Sequence, residues 1–95
     1  MKDLAARGFF TIRAAGSKGV ADIVALRHDL FPLLISAKKN GIIPPNERER
    51  LVAAAHSYCA YPVLAECSEP RVLRYWFVKR GPERTAFIIP EVRNA

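Results

Sequence analysis

Hydrophobic and polar positions change period several times along the chain, and each change marks an element. Residues 2-KDLAAR-7 read as the last turns of a helix stopped by Gly8 at the C′ position, with Arg7 at the negative end of the dipole. Phe9 to Ala14 has strand composition, 15-AGSKG-19 supplies a turn, and Val20 to Leu26 reads as a second strand. After the polar break 27-RHD-29 and Pro32, 33-LLISAK-38 reads as a third. The near-continuous apolar character of strands two and three predicts the centre of a sheet covered on both faces.

Lys39 to Pro45 is a connection rich in Gly and Pro that leads into a helix over 47–59. Asn46 is the predicted N-cap, and Glu49 stands three residues on, where a capping box places its reciprocal acceptor. Leu51, Val52, Ala55, Tyr58 and Cys59 recur at helical spacing, so one face of this helix is expected to pack on the sheet. A strand follows at 62-PVLAEC-67, then a Ser-Glu-Pro turn. The stretches 71–80 and 85–90 close the sheet as a hairpin about 81-GPER-84. The order helix, three strands, helix, strand, hairpin predicts an α/β layer domain with a mixed sheet flanked by helices, and residues 1–95 are expected to form a single domain.

Composition narrows the function classes. With 51% apolar residues and no repeat, the chain reads as globular; no apolar run reaches the roughly 18 residues of a membrane span, and no signal-peptide core is visible. The expectation is a cytoplasmic protein that meets no membrane. Cys59 and Cys67 fit no metal-ligand spacing and read as reduced thiols, and His28 and His56 likewise have no ligand spacing. Phosphate loops of the P-loop and dinucleotide types are absent, as is any specific nucleophile triad.

Fifteen Lys and Arg against nine Asp and Glu give a net charge of +6, the footprint of a polyanion partner. Position carries more weight than the total. Lys38, Lys39, Arg48 and Arg50 flank one connection, and Arg13 and Lys18 can fall near it. Arg27 and His28 read as solvated surface. Tyr75, Trp76 and Phe77 admit three readings: half core and half cover, a dimer surface, or, ranked last, a base-stacking platform.

One acid interrupts the second strand. An unpaired carboxylate in an apolar run carries a desolvation penalty of several kcal/mol, so Asp22 needs a partner. Ser36 and Lys38 share a face of the third strand, and Lys38 is the nearest cation if those two strands are neighbours. Spacing alone favours a structural Asp–Lys ion pair over a chemical site, since such pairs outnumber active sites.

The run 8-GFFTIRAAGSKGVADIVALR-27 followed by 33-LLISAKK-39 resembles the archaeal and phage-type Holliday-junction resolvases of the PD-(D/E)XK nuclease superfamily. The resemblance covers about residues 2 to 67 and is specific in Arg-Ala-Ala-Gly-Ser-Lys-Gly-Val-Ala-Asp. It implies a restriction-endonuclease-like mixed sheet and a structure-selective endonuclease that cuts branched DNA such as four-way junctions. It also implies a homodimer, in a bacterial, archaeal or phage-infected cell. Carried onto this chain, Asp22 matches the metal-binding acid, Lys38 the motif lysine, and Ala37 the middle residue whose carbonyl is a metal ligand. Arg13, Ser17 and Lys18 fall in the phosphate-facing loop, and on a resolvase-like sheet Lys38, Lys39, Arg48 and Arg50 would ring the site and track phosphates. The implied cofactor is Mg²⁺, with Mn²⁺ as substitute, because a hard cation takes carboxylates, waters and substrate phosphate in an octahedron.

Two departures stand out. Ser36, a neutral ligand, occupies the position where the family carries Glu or Asp, and the family's first-helix Glu would fall upstream of Met1. Glu49 is the candidate for the missing carboxylate, set against its plainer role in the capping box, and Glu66 is a second. The alternative function is a nuclease fold with a decayed site that binds DNA or another protein.

Overall fold

The computed structural model describes residues 2–13, 21–69, 72–81 and 83–92. Two helices and six strands follow one another as α1 (Lys2–Ala6), β1 (Phe10–Arg13), β2 (Ile23–Leu26), β3 (Leu33–Lys38), α2 (Pro45–Ser57), β4 (Tyr61–Glu69), β5 (Val72–Val78) and β6 (Arg84–Ala86). All six strands form one sheet in sequential order. Every adjacent pair is antiparallel except β3 and β4, which run parallel. A parallel pair needs a crossover, and α2 supplies it.

Alternation along the strands sorts the apolar residues into two clusters, one on each face. Leu33 and Ile35 of β3 join Ile23, Ala25, Val63, Ala65 and Tyr75 beneath Leu4 of α1, and Phe87 and Ile89 of the C-terminal stretch pack into the same cluster. Leu34 of β3 joins Leu64 and Val78 beneath Leu51 and Ala55 of α2. The centre of the sheet is therefore covered on both faces, as the composition of strand three predicts.

Several boundaries differ from the sequence reading for physical reasons. Pro44, not Asn46, occupies the N-cap of α2, Pro45 opens the helix, and no side chain caps it. Pro at the first helical position needs no partner for an N–H, so the Asn46–Glu49 capping box does not form. The last strand is three residues instead of six. After Ala86 the chain keeps its alternation, with Phe87 and Ile89 buried and Ile88 exposed; the Phe87 amide still donates to Tyr75 O at 2.8 Å, and the two buried side chains join the α1-side cluster. At the other end of α2, Cys59 takes a left-handed conformation with φ 52°, and the Ala60 amide donates to Ala55 O at 2.8 Å, closing the helix in the manner usually left to glycine.

Arg27 is not solvated surface. It is buried, with Nε and Nη2 donating to the two carboxylate oxygens of Asp29 at 2.6 and 3.1 Å, Nη1 donating to Arg7 O at 3.0 Å, and the guanidinium 5.0 Å from the Phe9 ring centroid. The fork of donors fits both a carboxylate and the Arg7 carbonyl just past α1, which ties the end of α1 to the end of β2. The three aromatics of β5 also serve the fold. Tyr75 lies in the α1-side core and donates its hydroxyl to Asp3 Oδ2 at 2.7 Å, while Phe77 packs edge-on against Tyr61 and Phe87. Trp76 faces the α2 side. These placements make them core and cover, not a stacking platform.

Candidate active site at the end of strands β2 and β3

Asp22 lies at a bend just before β2, exposed to solvent, so the buried-carboxylate premise does not apply to it. Its backbone amide donates to Ile35 O at 2.8 Å, and its Oδ2 accepts the Ala37 amide at 2.8 Å. The side chain stands in for the next backbone acceptor and closes the β2–β3 ladder. Since the N–H and C=O of one strand residue point toward the same edge, the Ala37 carbonyl also opens to the β2 side. The acid therefore sits at the middle residue of Ser36-Ala37-Lys38.

Ser36 and Lys38 share the α2 face with Leu34, but their surroundings differ. Ser36 is 6% exposed, beneath α2. Lys38 extends further out and pairs with Glu47, Nζ to Oε2 2.8 Å, with side-chain exposures of 29% and 34%. Asp22 is thus not the counter-ion of Lys38. The lysine is held by the first turn of α2, and the aspartate by the backbone of β3.

Glu47 is the residue that sequence reasoning missed, although a signal for it exists. Leu51 and Ala55 are the buried residues of α2. Counting back four from Leu51 reaches Glu47, on the same stripe toward the sheet. Glu49, two residues from Leu51, turns to solvent and is exposed. Starting the helix at Asn46 and matching Glu49 to a capping box hid that phase.

Glu66, the other candidate acid, is in register with Lys38 across the parallel pair. Its Oε1 accepts the Trp76 indole N–H at 3.0 Å, and Arg84 Nη2 lies 3.8 Å away. Arg84 also stacks 4.3 Å from the Trp76 ring centroid and donates to Gly41 O. Gly41 has φ +69°, and a Cβ there would lie 2.7 Å from Glu66 Cδ, so glycine permits both the left-handed turn and the close approach of this carboxylate. Glu66 is a tie between the loop after Lys38 and the closing hairpin.

Of the expected phosphate contacts, Arg13, Lys39 and Arg50 are exposed, and Arg48 is half-buried, with Nε donating to Arg80 O at 3.2 Å. Ser17 and Lys18 lie outside the described residues. Exposed Lys79 and Arg80 and the fixed Arg84 add cations on the β5–β6 side that the sequence reading did not enlist.

The fold that carries Asp22, Ala37 and Lys38, a mixed sheet with α2 crossing above, is matched among solved structures. The chain superimposes on Hjc of Archaeoglobus fulgidus, a Holliday junction resolvase from an archaeal hyperthermophile, with a TM-score of 0.70 and 26% identity, covering 90% of this chain and 79% of that one. It has the Holliday-junction-resolvase type of nuclease fold. The sequence matches no protein-family model and no curated protein.

Within the resolvase-type frame, the oxygen donors suit a hard cation in one respect only. Asp22 is a solvent-reachable carboxylate beside a backbone carbonyl, which fits a Mg²⁺ held mostly by water and phosphate. Among the described residues no group of three or more His, Cys, Asp or Glu converges, so a cage of protein ligands is not formed. No helix among them is long and apolar enough to cross a membrane.

Proposed function

We propose that the protein is an endonuclease of branched DNA, acting with Mg²⁺ at Asp22. The observation that carries the reading is the 2.8 Å hydrogen bond from the Ala37 amide to the Asp22 carboxylate, which brings acid, carbonyl and motif lysine to one end of a resolvase-type sheet. A metal ion there would supply charge for the scissile phosphate and an acidified water. The chain's own part is positional. Asp22 and the Ala37 carbonyl offer the protein oxygens, and Lys38 contributes a cation whose direction is set by Glu47. Arg13, Lys39, Arg48 and Arg50 contact the DNA backbone and set affinity without reading bases.

Two cuts placed symmetrically about a branch call for a two-fold dimer. The sheet offers a surface for one. Phe10, Ile12 and Leu26 are 67%, 44% and 37% exposed, and register sets Phe10 opposite Leu26 and Ile12 opposite Val24, so all lie on the α2-side face where α2 does not reach. Contiguous apolar residues of this kind suit the centre of an isologous contact. Phe10→Glu is expected to convert a dimer to monomer in light scattering.

The test of the activity is cleavage of a labelled four-way junction in Mg²⁺, lost in Lys38→Ala; a full natural chain that leaves the junction uncut overturns the reading. A second reading has its own observation: Ser36, neutral and buried, stands at the acid position. Salt-dependent junction binding with no Mg²⁺-dependent cutting makes the protein a DNA-binding relative with a decayed site.

A further inference from the structure

A cleft of about 440 Å³ opens on the α2 side, between the loop that leaves Lys38 and the closing hairpin. Its floor is apolar, made by Ile43, Leu64 and Val78, all buried, and its rim carries Ile42, Arg48 and Arg84. The two guanidinium groups are held before any ligand arrives. Arg84 is fixed by Gly41 O and the Trp76 ring, and Arg48 by Arg80 O. Each keeps further N–H donors, since a guanidinium has five. Glu83 is the acid among the lining residues and Glu66 stands behind Arg84, 3.8 Å from Nη2, so what the cleft offers an anion is the spare N–H donors of two guanidiniums and not a surplus of charge.

The volume falls in the range of small-molecule sites, and the lining asks for a ligand with a flat apolar body and an anionic end. Immobilised guanidiniums lose little freedom when they bind phosphate, so the charge is preorganised for that end. The cleft begins two residues after Lys38, at Asn40.

We propose that this cleft seats one nucleotide of the DNA strand that runs on from the cut position, its base over Ile43, Leu64 and Val78 and its phosphate at Arg48 and Arg84. The assignment to DNA rests on the branched-DNA endonuclease reading. Bases at a branch point are less firmly stacked than in a duplex, so turning one into a cleft is less costly there.

The experiment titrates the ¹⁵N-labelled full chain with deoxycytidine 5′-monophosphate, deoxycytidine and inorganic phosphate, following the amides of Gly41, Ile43, Leu64 and Val78. The nucleotide is expected to shift these amides saturably and to bind more tightly than either fragment. Ile42 is 65% exposed, so Ile42→Glu leaves the core intact and puts a carboxylate at the mouth; it is expected to weaken the nucleotide by about fivefold, and Ile42→Lys is expected not to. Shifts confined to surface lysines and arginines, or equal affinity for inorganic phosphate, overturn the cleft. Junction cleavage by the same preparation separates the two claims. Cutting without nucleotide binding removes the cleft alone, whereas nucleotide binding with neither cutting nor binding of the junction removes its assignment to DNA.

Discussion

Asp22 is asked to do two jobs, and a pair of substitutions separates them. Its Oδ2 accepts the Ala37 amide at 2.8 Å, which closes the β2–β3 ladder, and its charge is the one proposed to hold the metal. Hydrogen bonds to a charged group contribute roughly 1.5–3 kcal/mol when shielded. Asp22 is exposed, so water competes for the amide and about 1 kcal/mol is the appropriate figure. Asp22→Asn retains an acceptor oxygen of the same shape and is expected to lose about 0.5 kcal/mol or less. Asp22→Ala removes the acceptor and is expected to lose about 1 kcal/mol, near 4–8 °C in Tm for a domain of this size. Both lose the charge, so both are expected to cut a four-way junction at least about a hundredfold more slowly, the scale of removing one electrostatic contact from a transition state. Urea unfolding without metal measures the first quantity, and single-turnover cleavage the second. Asn cutting at the natural rate refutes the catalytic role. Asn and Ala unfolding alike refutes the hydrogen bond as the structural role.

Three further outcomes follow from the packing. Arg27→Met keeps the volume but removes the two hydrogen bonds given to the Asp29 carboxylate and the one given to Arg7 O, and is expected to lower stability by about 2 kcal/mol in denaturant titration. Gly41→Ala forces a side chain onto Glu66 at positive φ; a loss of about 1–2 kcal/mol and altered emission from Trp76, the single tryptophan, are expected. Asp3 is held below the ordinary carboxylate range, first by the Tyr75 hydroxyl and also by Arg7, against the raising effect of burial. A depressed folded value means that the stabilisation is present above the unfolded value near 4 and is lost as pH falls through the folded one. Tyr75 is pushed above the usual phenol range by burial and by Asp3, so its contribution is complete below about pH 10 and is lost as pH rises beyond it. Tyr75→Phe is therefore expected to destabilise by about 1 kcal/mol at neutral pH and to flatten the stability profile below pH 4, as read by thermal unfolding across pH.

Local pattern determined a good deal about this protein. The near-continuous apolar stretch at Leu33–Lys38 is a strand over the residues read, and Leu51 and Ala55 do mark the sheet-facing stripe of α2. Asp22 and the Ser-Ala-Lys run did come together at one end of the sheet, because an antiparallel neighbour places the start of one strand beside the end of the other. These are consequences of alternation and helical spacing, which act over a few residues.

Tertiary structure decided who pairs with whom. Lys38 takes Glu47, and not Asp22, because the phase of α2 is set by Pro45 at its first position and by Leu51 docking on the sheet. Arg27 is buried because the carbonyl of Arg7 and the Phe9 ring arrive beside it from another part of the chain. Exposure of Phe10 and Ile12 likewise depends on how far α2 extends across the sheet. Each of these is fixed by contacts between distant segments, whose geometry no single-window pattern of polar and apolar residues contains.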